Sequence, residues 1–152
     1  MAKNQRFMPV SPDAVWAVLA QPESYGYWVV GSKVIRDADA GFPAVGTTLH
    51  HTIGVGPLTL NDHTEVLEAE PPRRLKLRAK GRPIGTASVE LILEPSGGGT
   101  NVCIVEDPDQ LYTPLKYNPL LQWATRARNA KTLARLEELA LQEQPLQAMR
   151  QT

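Results

Sequence analysis

Four polar residues interrupt otherwise apolar faces, and their types and spacing are the ones that could do chemistry. They are His51, Asp62, Glu106 and Asn129. The first three alternate with apolar residues at a period of two, which is typical of half-buried strands. The fourth lies on a helical stripe with Leu133 and Leu136. A buried carboxylate or imidazole is costly unless it is paired, so each residue requires a partner, a water molecule or a ligand.

An imidazole beside a carboxylate can serve as general base and general acid when both reach one substrate. His51 with Asp62 or Glu106 is the pair that the pattern favours for this role. Other interpretations stay open: His51 as a hydrogen-bonded sheet residue, or His50 facing inward in its place. The two carboxylates could also be hydrated near strand ends, and Asn129 could tie the helix to a loop by side-chain hydrogen bonds.

Metal and nucleophile chemistry find little support in the sequence. The adjacent His50 and His51 point to opposite faces of a strand, so they cannot easily bind one ion. The single cysteine, Cys103, alternates with inward-facing neighbours and should face away from them. We therefore predict no metal and no cofactor. Trp28 and Trp123 are candidate ligand contacts, with the alternative that they belong to the core.

Composition excludes several function classes. The chain has 152 residues, with 16 basic and 16 acidic side chains. This balance argues against a nucleic-acid partner. No stretch approaches 18 consecutive apolar residues, so no integral membrane association is expected. A lone cysteine and the lack of a signal-peptide pattern predict a cytoplasmic protein. We expect a monomer or a homodimer.

Regularly spaced prolines divide the middle of the chain into strand-length segments, which indicates an antiparallel meander. Residues 73–80 alternate between leucine or alanine and basic residues, and they should pair as a hairpin with the acidic 61–70 segment. Ser11, Pro12 and Asp13 predict a helix start. A second short helix is expected over 23–27, and a long helix over about 119–143.

The resulting order is a strand, two short helices, six strands and a terminal helix. This order resembles the helix-grip fold of the SRPBCC superfamily, which includes START domains and polyketide cyclase/dehydrase-like proteins. Ser-Pro-Asp-Ala-Val-Trp-Ala-Val-Leu-Ala over 11–20 looks like the opening phrase of that family. Other segments also resemble sequences typical of that family, namely 27–31, 68–75, 98–102 and 128–136.

The resemblance implies an α+β fold in which a curved antiparallel sheet of about seven strands wraps round the C-terminal helix. The gap between sheet and helix is often a cavity for an apolar ligand in such proteins. We expect one domain over 3–143 and a polar tail over 144–152. The leading hypothesis is therefore binding of a hydrophobic small molecule, such as a lipid, polyketide or isoprenoid. The expected ligand contacts are Trp28, His51, Asp62, Glu106, Trp123 and Asn129.

Two other functions remain open. The first is a cyclase or dehydratase that uses His51 with Asp62 or Glu106. The second is a protein-interaction module of the chaperone-activator kind, against which the charged outer face argues. The segment 107–118 is predicted to be a loop, either a lid over the site or packed on the core.

Overall fold

A computed structural model describes residues 2–30, 32–55, 57–81, 85–111 and 118–150. The elements in chain order are β1 (Ala2–Met8), α1 (Pro12–Leu19), a 3₁₀ turn (Pro22–Ser24), α2 (Tyr25–Trp28), β2 (Ser32–Ala38), β3 (Thr48–Val55), β4 (Leu58–Glu70), β5 (Arg74–Gly81), β6 (Gly85–Ser96), β7 (Gly99–Leu111) and α3 (Pro119–Arg150). The order confirms the predicted α+β helix-grip arrangement.

All seven strands form one curved antiparallel sheet in the order β1-β7-β6-β5-β4-β3-β2. The six strands from β2 to β7 are a meander, as the proline spacing predicts. The first strand joins at the far edge, where it pairs with β7. Long-range pairing of β1 with β7 brings the start of the chain beside the strand that leads into α3.

The first helix begins where the sequence predicts. The Oγ atom of Ser11 accepts a hydrogen bond from the backbone N–H of Ala14 at 3.2 Å. Pro12 occupies the first turn, and Asp13 places a negative charge there. This cap satisfies a backbone donor that the helix itself cannot pair, and the acid complements the helix dipole.

The glycine run between β6 and β7 is structural. Gly98 has a φ angle of +83°, which residues with a side chain rarely adopt. A Cβ atom on Gly99 would lie 2.2 Å from the carbonyl oxygen of Met8, so only glycine lets β1 pass this close. The run therefore serves a tight turn and a close backbone approach.

The inner face of the sheet and one stripe of α3 form a single apolar core. The strands contribute Leu75, Leu91 and Leu93, and the helix contributes Leu133 and Leu136; all five are at most 1% exposed. α1 and α2 add the side chains of Val15, Val18, Leu19, Tyr25 and Trp28 to the same cluster. Close to the start of α1, the hydroxyl of Thr100 donates to the carbonyl oxygen of Val10 at 2.7 Å.

The predicted β4–β5 hairpin and its charges are confirmed. Glu65 stands opposite Arg78, and Glu70 opposite Arg74. Arg74 also forms ion pairs with Glu68 and with Glu90 of the next strand. Opposite charges therefore face each other across these strands, as expected for the exposed face of a hairpin.

The predicted end of the last strand is wrong. The last strand continues through Asp107 to Leu111 rather than giving way to a loop at 107, because β6 is long enough to pair with it. A register shift in this stretch accommodates Pro108, which lacks a backbone N–H donor. Residues 112–117 of the predicted loop lie outside the described residues, so the lid remains a prediction.

The terminal helix is longer than expected. It runs through Pro145 to Arg150, whereas the sequence pattern ends near residue 143. Its last turns are fastened to the ends of α1. The side-chain oxygen of Gln144 accepts from the backbone N–H and from the hydroxyl of Ser11, at 3.0 and 3.1 Å. Gln21 donates to Glu143 at 3.3 Å. These contacts order a segment that local sequence alone would leave frayed.

Tyr25 gives the fold a predictable response to alkaline pH. Its hydroxyl donates to the carbonyl oxygen of Leu19 at 2.7 Å, and burial raises the pKa of Tyr25 above its ordinary value of 10.0. Because the folded state holds the Tyr25 proton more tightly than the unfolded chain does, Tyr25 contributes to the free energy of unfolding. This contribution is complete below pH 10, and it declines above pH 10 as the tyrosine of the unfolded chain ionises.

We expect Tyr25→Phe to lower the free energy of unfolding by about 1 kcal/mol at pH 7, through loss of the hydrogen bond. Above pH 10 the wild type should lose about 1.4 kcal/mol per pH unit more than the variant. Urea unfolding at pH 7, 10 and 11 measures both quantities. Parallel pH profiles for the two proteins would contradict this account of Tyr25.

Candidate ligand-binding site

A buried polar group lies on the inner face of the sheet at β3 and β4. His51 and Asp62 are direct cross-strand partners. Asp62 is 2% exposed and His51 is 7% exposed. The Nε2 atom of His51 and the hydroxyl of Thr64 form a hydrogen bond of 2.9 Å. We call His51, Asp62 and Thr64 the inner polar group. It confirms that the predicted phase of β3 and β4 is right.

Small side chains continue from this group across the sheet. Thr64 stands opposite Ala79 of β5, and Ala79 stands opposite Ala87 of β6. The neighbouring row on the α1 side is larger: Val66 opposite Leu77, and Leu77 opposite Val89. Both alanines are only half-buried, unlike Leu75 and Leu91 in the core. A row of alanines leaves room above the sheet that a row of leucines would fill.

Asn129 is a buried polar residue on the inward-facing side of α3. It is 3% exposed, and it continues the inward stripe of Leu133 and Leu136 toward the start of α3. No residue of α3 before Asn129 is buried within the described chain. Asn129 therefore marks the point on the helix where apolar packing ends.

Glu106 faces α3 as predicted, but it does not join His51. Its carboxylate forms an ion pair with Arg128 of α3. β6, β5 and β4 separate its strand from β3, which carries His51. Of the two carboxylates proposed to work with His51, only Asp62 is its neighbour. The partner of Glu106 was not predictable because Arg128 lies on the helix and comes into contact only in the tertiary fold.

The two tryptophans lie in different environments. Trp28 is 2% exposed in the core, with its indole N–H directed to Ser24 at 3.1 Å and its ring against Tyr25. Trp123 is 67% exposed near the start of α3. The structure brings neither together with the inner polar group. Their contact with a ligand remains a prediction.

Asn4 was missed by the sequence reasoning. Its amide nitrogen donates to the carbonyl oxygen of Arg126 on α3 at 3.1 Å, and its Oδ1 atom is buried. The available signal was its position in β1, in phase with the buried Ala2 and Met8. That signal was weak, because the pairing of β1 with β7 and α3 was not known.

The outer face of the sheet carries the remaining candidate groups. His50 and His63 stand opposite each other there, with His50 4.0 Å from Asp39. Among the described residues, no three His, Cys, Asp or Glu side chains are grouped so that they could hold a metal ion. Cys103 lines a shallow outer depression of about 110 Å³ together with Lys3 and Glu94, so it faces away from the core as predicted.

Comparison with known families matches nearly the whole chain. Residues 2–141 fit the family "Polyketide cyclase / dehydrase and lipid transport". The chain belongs to this family. Membership supports the binding of a hydrophobic molecule or a role in polyketide cyclisation. No curated protein sequence matches the chain.

Several solved structures have a fold similar to that of this chain, at low sequence identity. A protein from Nitrosomonas europaea has a TM-score of 0.70 at 21% identity, covering 93% of this chain and 94% of that one. Ara h 8.0201 has a TM-score of 0.72 at 11% identity, with coverage of 92% and 96%. The di-domain ARO/CYC protein StfQ of the steffimycin biosynthetic pathway has a TM-score of 0.72 at 8% identity. The match covers 92% of this chain and 50% of StfQ. These similarities show the fold of this Polyketide cyclase / dehydrase and lipid transport family member.

No helix in the described part of this family member is both long enough and apolar enough to cross a membrane.

Proposed function

We propose that the protein binds a hydrophobic small molecule between the inner face of its sheet and α3. The observation that supports this most is the row of small side chains beside the inner polar group. Thr64, Ala79 and Ala87 run across three strands, and the inward-facing pair of His51 and Asp62 lies beside Thr64, two residues along β3 and β4. An apolar concave surface with a few fixed polar groups is the usual form of a small-molecule site.

The arrangement favours a ligand that has an apolar body and one polar end. The alanine row offers area without bulk, which suits a ring system or a chain. The inner polar group and Asn129 offer directional hydrogen bonds at its edge. Such groups place hydrogen-bond donors and acceptors at fixed positions on an apolar face, where they can fix the orientation of a ligand.

Native mass spectrometry of the purified protein tests the proposal. We expect a species heavier than the bare chain, and we expect the added mass to disappear under denaturing conditions. Extraction and mass analysis of the released molecule would identify its class. As a second arm, titration with 2-methylnaphthalene followed by its fluorescence should show saturable binding. A bare mass together with no saturable binding would overturn the proposal.

Catalysis is a second candidate, favoured by one observation. His51 and Asp62 are adjacent on the inner face and buried, so an imidazole and a carboxylate lie close together there. Such a pair can remove a proton beside a carbonyl and protonate a leaving hydroxyl, which is the chemistry of a cyclase or dehydratase. Thr64, bonded to Nε2, would orient the ring.

The released molecule also separates the two candidates. A carrier returns the same molecule unchanged after incubation, whereas an enzyme converts a precursor of it. Conversion should be lost in His51→Ala and kept in His50→Ala, whose ring lies on the outer face. Conversion that survives His51→Ala would remove His51 from the reaction.

The remaining assignments are part of the same proposal. The equal numbers of acidic and basic residues support partners other than nucleic acid. The single cysteine supports a cytoplasmic location. We propose a monomer or a homodimer as the working form.

A further inference from the structure

Asn4 of β1 and Asn129 of α3 each have one buried polar side-chain atom that lacks a hydrogen-bond partner among the described residues. The amide nitrogen of Asn4 donates to the carbonyl oxygen of Arg126, which fixes the orientation of that amide. Its Oδ1 atom is therefore the acceptor that remains. That atom is buried and has no hydrogen-bond partner among the residues that the structure describes.

Asn129 presents the opposite group. Its Oδ1 atom accepts from the guanidinium of Arg128 at 3.5 Å, so its Nδ2 atom is the donor that remains. Nδ2 is buried and likewise unpartnered within the described parts of the chain. The residue as a whole is 3% exposed.

The Asn4 side chain contacts α3 within one turn of Asn129. Asn4 bonds to the carbonyl of Arg126, three residues before Asn129, and three residues of helix span about 4.5 Å along its axis. Helix carbonyls point toward the C-terminal end, so the Asn4 amide is directed to the level of Asn129. The buried acceptor and the buried donor are thus found at the same level of α3, and each is costly until something pairs with it.

We propose that Asn4 and Asn129 together bind one hydroxyl group of the ligand. The inference rests on the proposed function and names the ligand class: an uncharged hydrophobic molecule that carries an alcohol or a phenol. The Nδ2 atom of Asn129 donates to the hydroxyl oxygen, and the hydroxyl hydrogen is donated to Oδ1 of Asn4.

Other functional groups fit this pair less well. A carboxylate accepts from Asn129 but has no proton for Asn4, and Arg128, the cation beside the site, is already paired with Glu106. An ammonium group donates to Asn4 but cannot accept from Asn129. An ether accepts only, and a methyl group does neither. A hydroxyl group both donates and accepts.

Three probes of similar shape test the inference: 2-naphthol, 2-methoxynaphthalene and 2-methylnaphthalene. Their dissociation constants are measured by fluorescence with the full-length protein. We expect 2-naphthol to bind at least tenfold more tightly than 2-methylnaphthalene, with 2-methoxynaphthalene between them. Sites that pair with a hydroxyl group discriminate strongly against analogues that lack it.

Variants assign the preference to the two amides. Asn129→Leu should abolish the preference for 2-methoxynaphthalene over 2-methylnaphthalene and weaken the preference for 2-naphthol, while retaining 2-methylnaphthalene binding. Asn4→Ile should abolish the preference for 2-naphthol over 2-methoxynaphthalene, and it keeps the test valid if Asn129→Leu does not fold. Asn101→Leu, on the outer face of β7, is the matched control and should leave all three constants unchanged.

The outcomes separate this inference from the proposed function. Equal binding of the three probes by the wild type would overturn the hydroxyl site, as expected if the asparagines hold only a water molecule, and would leave hydrophobic binding intact. Binding of none of the probes would overturn both. A wild-type preference that survives both variants would place hydroxyl recognition elsewhere.

Discussion

Ala87→Leu is expected to weaken binding of 2-methylnaphthalene by about 5- to 150-fold. The added side chain projects from β6 into the space above the row formed by Thr64, Ala79 and Ala87. A bound molecule would then have to tolerate overpacking of about 1–3 kcal/mol, which corresponds to that range of affinity. The free protein should change in stability by less than about 1 kcal/mol, because the leucine occupies space that the ligand would otherwise fill.

Fluorescence titration and urea unfolding of the same preparation measure both quantities. Ala130→Leu makes the same chemical change on the exposed side of α3, and it should affect neither binding nor stability. Two results would contradict the prediction. Unchanged affinity would place the ligand away from the alanine row, and a large loss of stability without a change in affinity would show that the row is already packed. The choice of an entirely apolar probe makes this test independent of the hydroxyl inference.

Leu136→Ala is expected to reduce the free energy of unfolding by about 2–5 kcal/mol. Leu136 is fully buried at the centre of the helix stripe that packs on the sheet. Truncation removes apolar contacts and leaves a cavity that the sheet and helix can only partly close. Since domains of this size are usually stable by about 5–15 kcal/mol, the loss is a large share of the total.

Leu141 provides the matched control on the same helix. It is 45% exposed, so Leu141→Ala should cost less than about 1 kcal/mol. Chemical denaturation of both variants and the wild type measures the difference. Equal losses for the two variants would mean that α3 does not pack on the sheet through the stripe of Leu133 and Leu136.

The two predictions describe two halves of one inner surface. Toward α1, leucines of β5, β6 and α3 meet without exposure and supply stability. Toward the start of α3, alanines replace leucines, and His51, Asp62 and Asn129 replace apolar side chains. Larger side chains on the half toward the start of α3 should therefore weaken ligand binding. Smaller side chains on the half toward α1 should lower the free energy of unfolding. A site that keeps buried polar groups at the expense of packing is consistent with the usual compromise between activity and stability.

Family membership and the structure give different kinds of information about the inner surface. The match over residues 2–141 gives the fold and the general class of molecule. It assigns no role to individual side chains. The distinction between Asp62, beside His51, and Glu106, paired with Arg128, comes from the register of the strands and from a contact with the helix. That distinction narrows the acid–base hypothesis to a single pair.

Features set by local chemistry were readable from the sequence. Ser11 and Asp13 start α1 because a cap depends on atoms a few residues apart. His51 and Asp62 were assigned to the inner face because side chains alternate along a strand, and no bulge intervenes between Leu49 and His51 or between Asp62 and Val66. The opposite charges of β4 and β5 predicted their hairpin for the same reason, since the two strands are joined by a short turn.

Features set by contacts between distant segments required the tertiary structure. The extension of α3 to Arg150 depends on Ser11 and Gln21, more than a hundred residues away. The extension of β7 past Pro108 depends on β6, and the partner of Glu106 on α3. Asn4 and Asn129, 125 positions apart, became a candidate site only when β1 was seen to lie against α3. A local pattern determines which way a side chain points, whereas the packing of remote elements decides what it meets.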